Sequence, residues 1–201
     1  MIQTVIFDLG GVLVEIDPLL FLDNISHEFN VTQETLTHNT NGQVHQEFMK
    51  GNLTGEQFHN IICKKYNHSL DIDKFINIWN TILIRQNEAV SGIVQELQSQ
   101  YGLALLSNID PWHFRYCNEN YPVLNVFEDK FLSYEMNLLK PELEIYLRVV
   151  DNLKLQADEC LFIDDLEENI SAAKQAGLHA IQFRDVDQLG NDLRGLGLLS
   201  H

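Results

Sequence analysis

Four places in this 201-residue chain carry side chains that could do chemistry together. Asp8 interrupts the apolar run VIFDLGGVLV (Val5–Val14), and two glycines follow at Gly10 and Gly11. Ser107-Asn108 ends LALLSN, Lys140-Pro141 lies in LLKPELEIY, and Asp164-Asp165 lies in LFIDDLEENI. An unpaired carboxylate in an apolar interior costs several kcal/mol, so Asp8 needs a reason. It could simply end a strand, with the glycines making a turn. The other reason is chemical. A carboxylate can attack phosphorus and form an aspartyl phosphate, splitting a hard displacement into two easier ones. Two anions do not approach unaided, and Mg²⁺ takes the carboxylate and carbonyl oxygens that would bridge them, which suits Asp8 with Asp165. A serine hydroxyl, backbone N–H groups and a lysine ammonium can hold the remaining phosphoryl oxygens.

These residues become a site only if the fold brings them to one place. Residues 2–8 read as a strand, and LALLS (103–107), CLFID (160–164) and HAIQF (179–183) read as buried parallel strands. Leu143–Asn152 and Glu167–Ala176 show helical spacing, and Gly177 sits where a helix C-cap glycine belongs. Glu167 and Glu168 suit a helix N-terminus through its dipole, and Pro141 fits a first helical position. Strand and helix alternate, which implies a parallel sheet with helices on both faces. In such a sheet ligands bind beyond the carboxyl ends of the strands, where Asp8, Ser107-Asn108 and Asp164-Asp165 all fall.

Residues 16–86 have a different texture. Phe75, Ile78, Trp79 and Ile82 recur at helical spacing, Lys50-Gly51 reads as a helix stop, and Thr54-Gly55-Glu56-Gln57 reads as a capping box. This segment is expected to be a helical cap inserted into an α/β core made of residues 1–15 and 87–201. A helix from about Glu88 to Gln100 then returns the chain to the core.

At these motifs the chain resembles the haloacid dehalogenase superfamily, on its phosphatase side. VIFDLGGVL, LALLSN, LLKPELEIY and LFIDDLEENI resemble the four family motifs and fall in family order. The resemblance implies a Rossmann-like core with an inserted cap, a Mg²⁺ cofactor and a small phosphorylated metabolite as substrate. It implies that Asp8 is nucleophile and metal ligand and that the Gly10 carbonyl is a second ligand. Ser107 and Asn108 would bind the phosphoryl group, and Lys140 would neutralise it and Asp8. Asp165 would ligate the metal directly, and Asp164 through a metal-bound water.

One position departs from the pattern. The common phosphatase sequence has a second aspartate two residues after the nucleophile, where it serves as general acid and base. Here that position is Gly10. General acid–base help is worth about 10²–10⁴-fold, so its loss favours esters with a good leaving group, or a substitute acid such as Asp17 or His45. The glycine variant, with the cap stretch HQEFMKGNLTGEQF (45–58), resembles a bacterial subgroup that includes α-glucose-1-phosphate phosphatase. Sugar phosphates, and sugar 1-phosphates among them, are therefore the first expectation. Two alternatives remain: a 2-haloacid dehalogenase, whose chemistry has no use for the Asp164-Asp165 pair, and a non-catalytic binding protein on the same fold.

The bulk composition argues against a polyanionic partner and leaves a small anionic substrate open, provided local cations offset the field. Thirteen Lys+Arg against 29 Asp+Glu give a net charge of −16, which argues against nucleic acid and anionic membrane as partners. Cys63, Cys117 and Cys160 are far apart and odd in number, so reduced core thiols are expected. His45, His59 and His68 lack metal-ligand spacing and are expected to be packing or surface residues. No targeting segment stands out, and a cytoplasmic protein is expected.

Overall fold

The computed structural model describes residues 1–34 and 42–200, so the part of the expected cap at 35–41 lies outside the described residues. Its centre is β1 (Thr4–Phe7), in which all four residues are buried. β4 (Gly102–Ser107) and β6 (Cys160–Asp164) pair with it in parallel on either side. β5 (Asp129–Leu132) and β7 (His179–Gln182) complete the sheet in the order β5-β4-β1-β6-β7.

Because side chains alternate along a strand, each strand feeds two cores. Val5, Phe7, Leu105 and Ile163 point into one, which α5 (Glu88–Leu97) and α10 (Val186–Gly195) cover through Val90, Val94, Leu189 and Leu193. Ile6, Ala104, Leu106 and Phe162 point into the other, covered by α8 (Leu143–Leu153) and α9 (Glu167–Gln175) through Ile145, Val149, Ile170 and Ala173. Continuous apolar runs such as CLFID read as they do because both faces are covered. Gly177 follows α9 with φ +91, the left-handed geometry of a C-terminal cap.

The insertion contains α1 (Pro18–Phe29), α2 (Gln43–Met49), α3 (Gly55–Lys65) and α4 (Ile72–Trp79). The Thr54–Gln57 capping box starts α3 as its sequence implies. These helices share a third core, in which Phe48, Phe58, Phe75 and Trp79 pack together with Trp112 from the α/β core. The cap joins the core through an antiparallel ribbon that the helical texture did not disclose. β2 (Val14–Ile16) pairs with β3 (Leu83–Gln86), so the two ends of the insertion leave side by side. Ile82 correspondingly belongs to a short 3₁₀ turn, Asn80–Ile82, rather than to the end of a helix.

Three further elements depart from the sequence reading. β5 had no apolar run to announce it, since DKFL is an edge strand with mostly half-exposed positions. α6 (Pro111–Asn120) was also unforeseen, although Asp110-Pro111 is a good start signal. Pro141 is not the first helical residue. The chain closes a turn from Leu139 to Glu142, with Glu142 N–H on the Leu139 carbonyl at 2.8 Å, and the helix starts at Leu143 after that turn. The peptide bond between Lys140 and Pro141 is cis. The three cysteines are free and buried. Among the described residues no helix is long and apolar enough to cross a membrane.

Candidate active site

The strand order brings the site together. β1 sits between β4 and β6, so the residues at their carboxyl ends become neighbours despite lying far apart in the chain. Asp8 follows β1 directly, and its N–H continues the ladder to the Ile163 carbonyl at 2.9 Å. Asp164 ends β6, and Ser107 ends β4.

Lys140 enters from the turn after α7 (Ser133–Met136) and lies buried beneath these ends. Its Nζ stands 2.8 Å from Asp8 Oδ1 and 2.7 Å from Asp164 Oδ2, and donates to the Leu106 carbonyl at 3.2 Å. Burial alone would lower the pKa of this ammonium, but Asp8 and Asp164 override it and hold the pKa above its usual value. A buried, permanently charged lysine is the result.

The carboxylates are held differently. Asp8 Oδ1 accepts from Leu9 N–H at 2.7 Å as well as from Lys140. Burial pushes the Asp8 pKa up to about 7; Lys140 opposes this and Asp164 adds to it. Asp164 is enclosed: Asn169 Nδ2 bonds both its oxygens at 2.9 and 3.0 Å, and Leu166 N–H donates to Oδ1 at 2.9 Å. Asp165 is half-buried, and its pKa is raised by burial and by the charge of Asp164. Gly11 makes room for it. With φ +80, Gly11 occupies left-handed geometry, and a Cβ there would come within 2.5 Å of Asp165 Oδ2.

Oxygens of Asp8, Asp164 and Asp165 all lie within 4.8 Å of one another. Three carboxylates face one lysine, which leaves a local excess of negative charge. An all-oxygen donor set of this kind suits a hard divalent cation. Burial first, and the Asp164 charge after it, favour the neutral form of Asp8 and Asp165, and a bound cation would oppose both.

Ser107 is buried at the end of β4. Asn108 is committed elsewhere. Its Oδ1 accepts from Lys140 N–H and its Nδ2 donates to the Lys140 carbonyl, both at 2.8 Å. Contact between Asn108 and a bound group would therefore fall to its backbone. Gly10, Ser107 and Asn108 line one side of a cavity of about 160 Å³ between core and cap.

Of the two suggested substitute acids, Asp17 is engaged away from the cavity as the N-cap of α1, accepting from Leu19 and Leu20 N–H at 3.0 and 2.9 Å. His45 lines the cavity from the cap. His59 packs in the cap with Nε2 at 2.9 Å from the Leu70 carbonyl. His68 stands beside Glu28 at 3.9 Å.

One polar cluster escaped sequence reasoning. Asp110 is fully buried, and its Oδ1 caps α6 through Trp112 and His113 N–H. Its Oδ2 accepts from Trp79 Nε1 of the cap at 3.0 Å and meets His113 Nδ1 at 2.7 Å. His113 Nε2 lies 2.9 Å from the Trp79 carbonyl. Both imidazole nitrogens thus face acceptors, the arrangement of a doubly protonated ring. Asp110 and Pro111 mark a helix start in the sequence, but nothing local links them to Trp79.

The family model for haloacid dehalogenase-like hydrolases matches residues 2–177. A D-ribitol-5-phosphate phosphatase of Bacteroides thetaiotaomicron is 25% identical over 195 residues, covering 90% of this chain and 92% of that protein. A sesquiterpene phosphatase of Aspergillus oryzae is 25% identical over 186 residues, covering 91% and 90%. A HAD family enzyme of B. thetaiotaomicron, solved with magnesium and inorganic phosphate, superposes with a TM-score of 0.85 at 27% identity, covering 94% of this chain and 99% of that one.

Proposed function

Because this chain belongs to the haloacid dehalogenase-like hydrolases, we propose that it is a Mg²⁺-dependent phosphatase of small phosphorylated metabolites, working through a phosphoryl group carried on Asp8. The observation that carries the proposal is the cluster of Asp8, Asp164 and Asp165 within 4.8 Å around buried Lys140. The related enzyme with magnesium and phosphate bound supports it.

Asp8, the Gly10 carbonyl and Asp165 would hold the ion, with Asp164 acting through a bound water. The oxygens of Asp164 are already taken by Asn169, Lys140 and Leu166, which supports Asp165 as the direct ligand. Bound Mg²⁺ supplies charge that lets an anionic ester approach an anionic nucleophile. Asp8 attacks phosphorus; a new carboxylate–phosphorus bond forms as the ester P–O bond breaks, and the leaving oxygen departs with its electron pair as an alkoxide that takes its proton from water. Water then displaces phosphate from Asp8 and restores the carboxylate. The Ser107 hydroxyl and the Asn108 backbone hold phosphoryl oxygens, and Lys140 offsets their charge while fixing Asp8 Oδ1. The cap, which we assign to residues 16–86 over a core of 1–15 and 87–201, excludes water and selects the substrate.

Without an acid at Gly10, departure is easiest for acidic alcohols. Sugar 1-phosphates and aryl phosphates both qualify. The resemblance to the α-glucose-1-phosphate phosphatase subgroup puts sugar 1-phosphates first. The curated relatives divide, one being named for a polyol phosphate and the other for sesquiterpenes. Acid-quenching the enzyme with a phosphorus-labelled ester tests the chemistry. Wild type should retain label in Mg²⁺ and none in chelator, and folded Asp8→Asn should retain none and turn nothing over. Turnover by Asp8→Asn would sink the proposal.

A further inference from the structure

The walls of the cavity above the phosphoryl site are predominantly hydrocarbon. Leu9, Ile16, Met49, Ile82, Leu83 and Ile109 form them. Apart from His45, which faces the cavity from the cap, the polar side chains there have little to offer an arriving hydroxyl. His113 has Nδ1 on Asp110 and Nε2 on the Trp79 carbonyl. Asn108 has Oδ1 and Nδ2 on the Lys140 backbone. The Ser107 hydroxyl belongs to the phosphoryl end. A sugar carries a hydroxyl on nearly every carbon, and each one buried without a partner costs binding energy.

Size points the same way. A cavity of about 150 Å³ lined by aliphatic and aromatic side chains takes one benzene molecule, and this one measures about 160 Å³. The apolar wall also reaches the surface. Ile16 lines the cavity while remaining 40% exposed, and the first turn of α1 that follows it presents Leu19 at 72% and Leu20 at 41% exposure.

We infer that the cap-side cavity selects a phosphate monoester whose alcohol is compact and apolar, of phenyl or short branched-alkyl size, over sugar and polyol phosphates, so that aryl esters displace the sugar 1-phosphates that the subgroup resemblance alone puts first. This narrowing rests on the phosphatase reading. It is separable from it because ground-state binding can be measured without turnover.

Calorimetric titration of the Mg²⁺-loaded protein with butylphosphonate and 3,4-dihydroxybutylphosphonate, which differ by two hydroxyls, isolates the preference from leaving-group acidity. Butylphosphonate should bind at least about tenfold more tightly, with a negative heat-capacity change from apolar burial. Ile16→Ser and Met49→Gln should remove most of that advantage and leave the affinity for methylphosphonate, which has no group to enter the cavity, as in wild type. Equal or tighter binding of the dihydroxy compound overturns the inference. So does a variant that weakens methylphosphonate and butylphosphonate alike. If methylphosphonate itself does not bind and no ester is turned over, the phosphatase reading falls and the inference falls with it.

Discussion

Asn108 grips Lys140 by its backbone on both sides, accepting from its N–H and donating to its carbonyl at 2.8 Å each. The side chain of Lys140 can then reach Asp8 and Asp164 from a fixed base. Removing both bonds in Asn108→Ala should therefore impair catalysis without touching a charged group. Two hydrogen bonds of about 1 kcal/mol each correspond to a loss of up to about 30-fold in kcat. KM for an aryl phosphate should move less than kcat. Asn108→Asp keeps the acceptor but sets a second oxygen against the Lys140 carbonyl, so it should not restore the rate. Steady-state kinetics on folded variants decides this, and an Asn108→Ala enzyme with wild-type kcat would refute the positioning role.

Asp165→Ala should lose metal affinity and activity together. The loss should exceed about 100-fold, the upper end for residues that merely support a ligand. Asp164→Ala should lose less affinity and act mainly through Lys140. Stability should respond in the opposite sense. Burial raises the folded pKa of Asp8 to about 7, against the opposing effect of Lys140, and burial with Asp164 raises that of Asp165. A raised carboxyl pKa means stability that is present below the unfolded value near 3.8 and lost as pH climbs through the folded one. In chelator, the melting temperature should fall between about pH 4 and 7, and Mg²⁺ should restore it. Metal-free Asp165→Ala should fall less steeply.

Position 10 is glycine without a conformational need for it. A Cβ there would meet Ile16 Cγ2 at 3.7 Å, ordinary contact, and Gly10 is not among the glycines with positive φ. Gly10→Asp should fold and bring a carboxyl group to the leaving-group side. Across esters of graded leaving-group pKa, wild-type rates should depend steeply on acidity and Gly10→Asp should flatten the slope. His45→Gln separates the rival. If it steepens the wild-type slope, His45 is already the acid and unaided departure is wrong.

The Asp110–His113–Trp79 cluster ties cap to core, and its charge state gives it a pH window. Burial lowers the His113 pKa, but Asp110 outweighs it and the folded value lies above the usual 6.5. Burial would raise Asp110, yet His113 and Trp79 draw it down to about 2. His113 thus contributes stability below about pH 6.5 that is lost as pH rises through its folded value; Asp110 contributes above about pH 4 and loses it toward pH 2. The pair is worth most between those limits. His113→Gln leaves Asp110 buried and should cost about 3–5 kcal/mol within that window. Thermal melts from pH 4 to 9 should show the wild-type advantage flat to about 6.5 and shrinking above it. An advantage that grows toward pH 9 would contradict the assignment.

The sequence alone determined the parts that depend on neighbours in the chain. Short apolar runs ending in Asp8, Ser107 and Asp164 announce central strands, because a strand covered on both faces has no polar positions until it emerges. Thr54 with Gln57, and Gly177 after α9, announce helix ends because caps are satisfied within one turn. Edge strand β5 had no such signal, since half its surface is wet. Tertiary structure alone decided what meets across the chain. Asn108 meets Lys140 32 residues on, Trp79 meets Asp110 31 residues on, and Asp165 fits against Gly11 from the end of the neighbouring strand β6. These contacts are set by the strand order β5-β4-β1-β6-β7 and by the seating of the cap, and neither leaves a local pattern. The cavity wall is the clearest case. Leu9, Met49, Ile82 and Ile109 each read as ordinary core residues, and only their convergence above Ser107 turns hydrocarbon that would stabilise a fold into a surface that can choose a substrate.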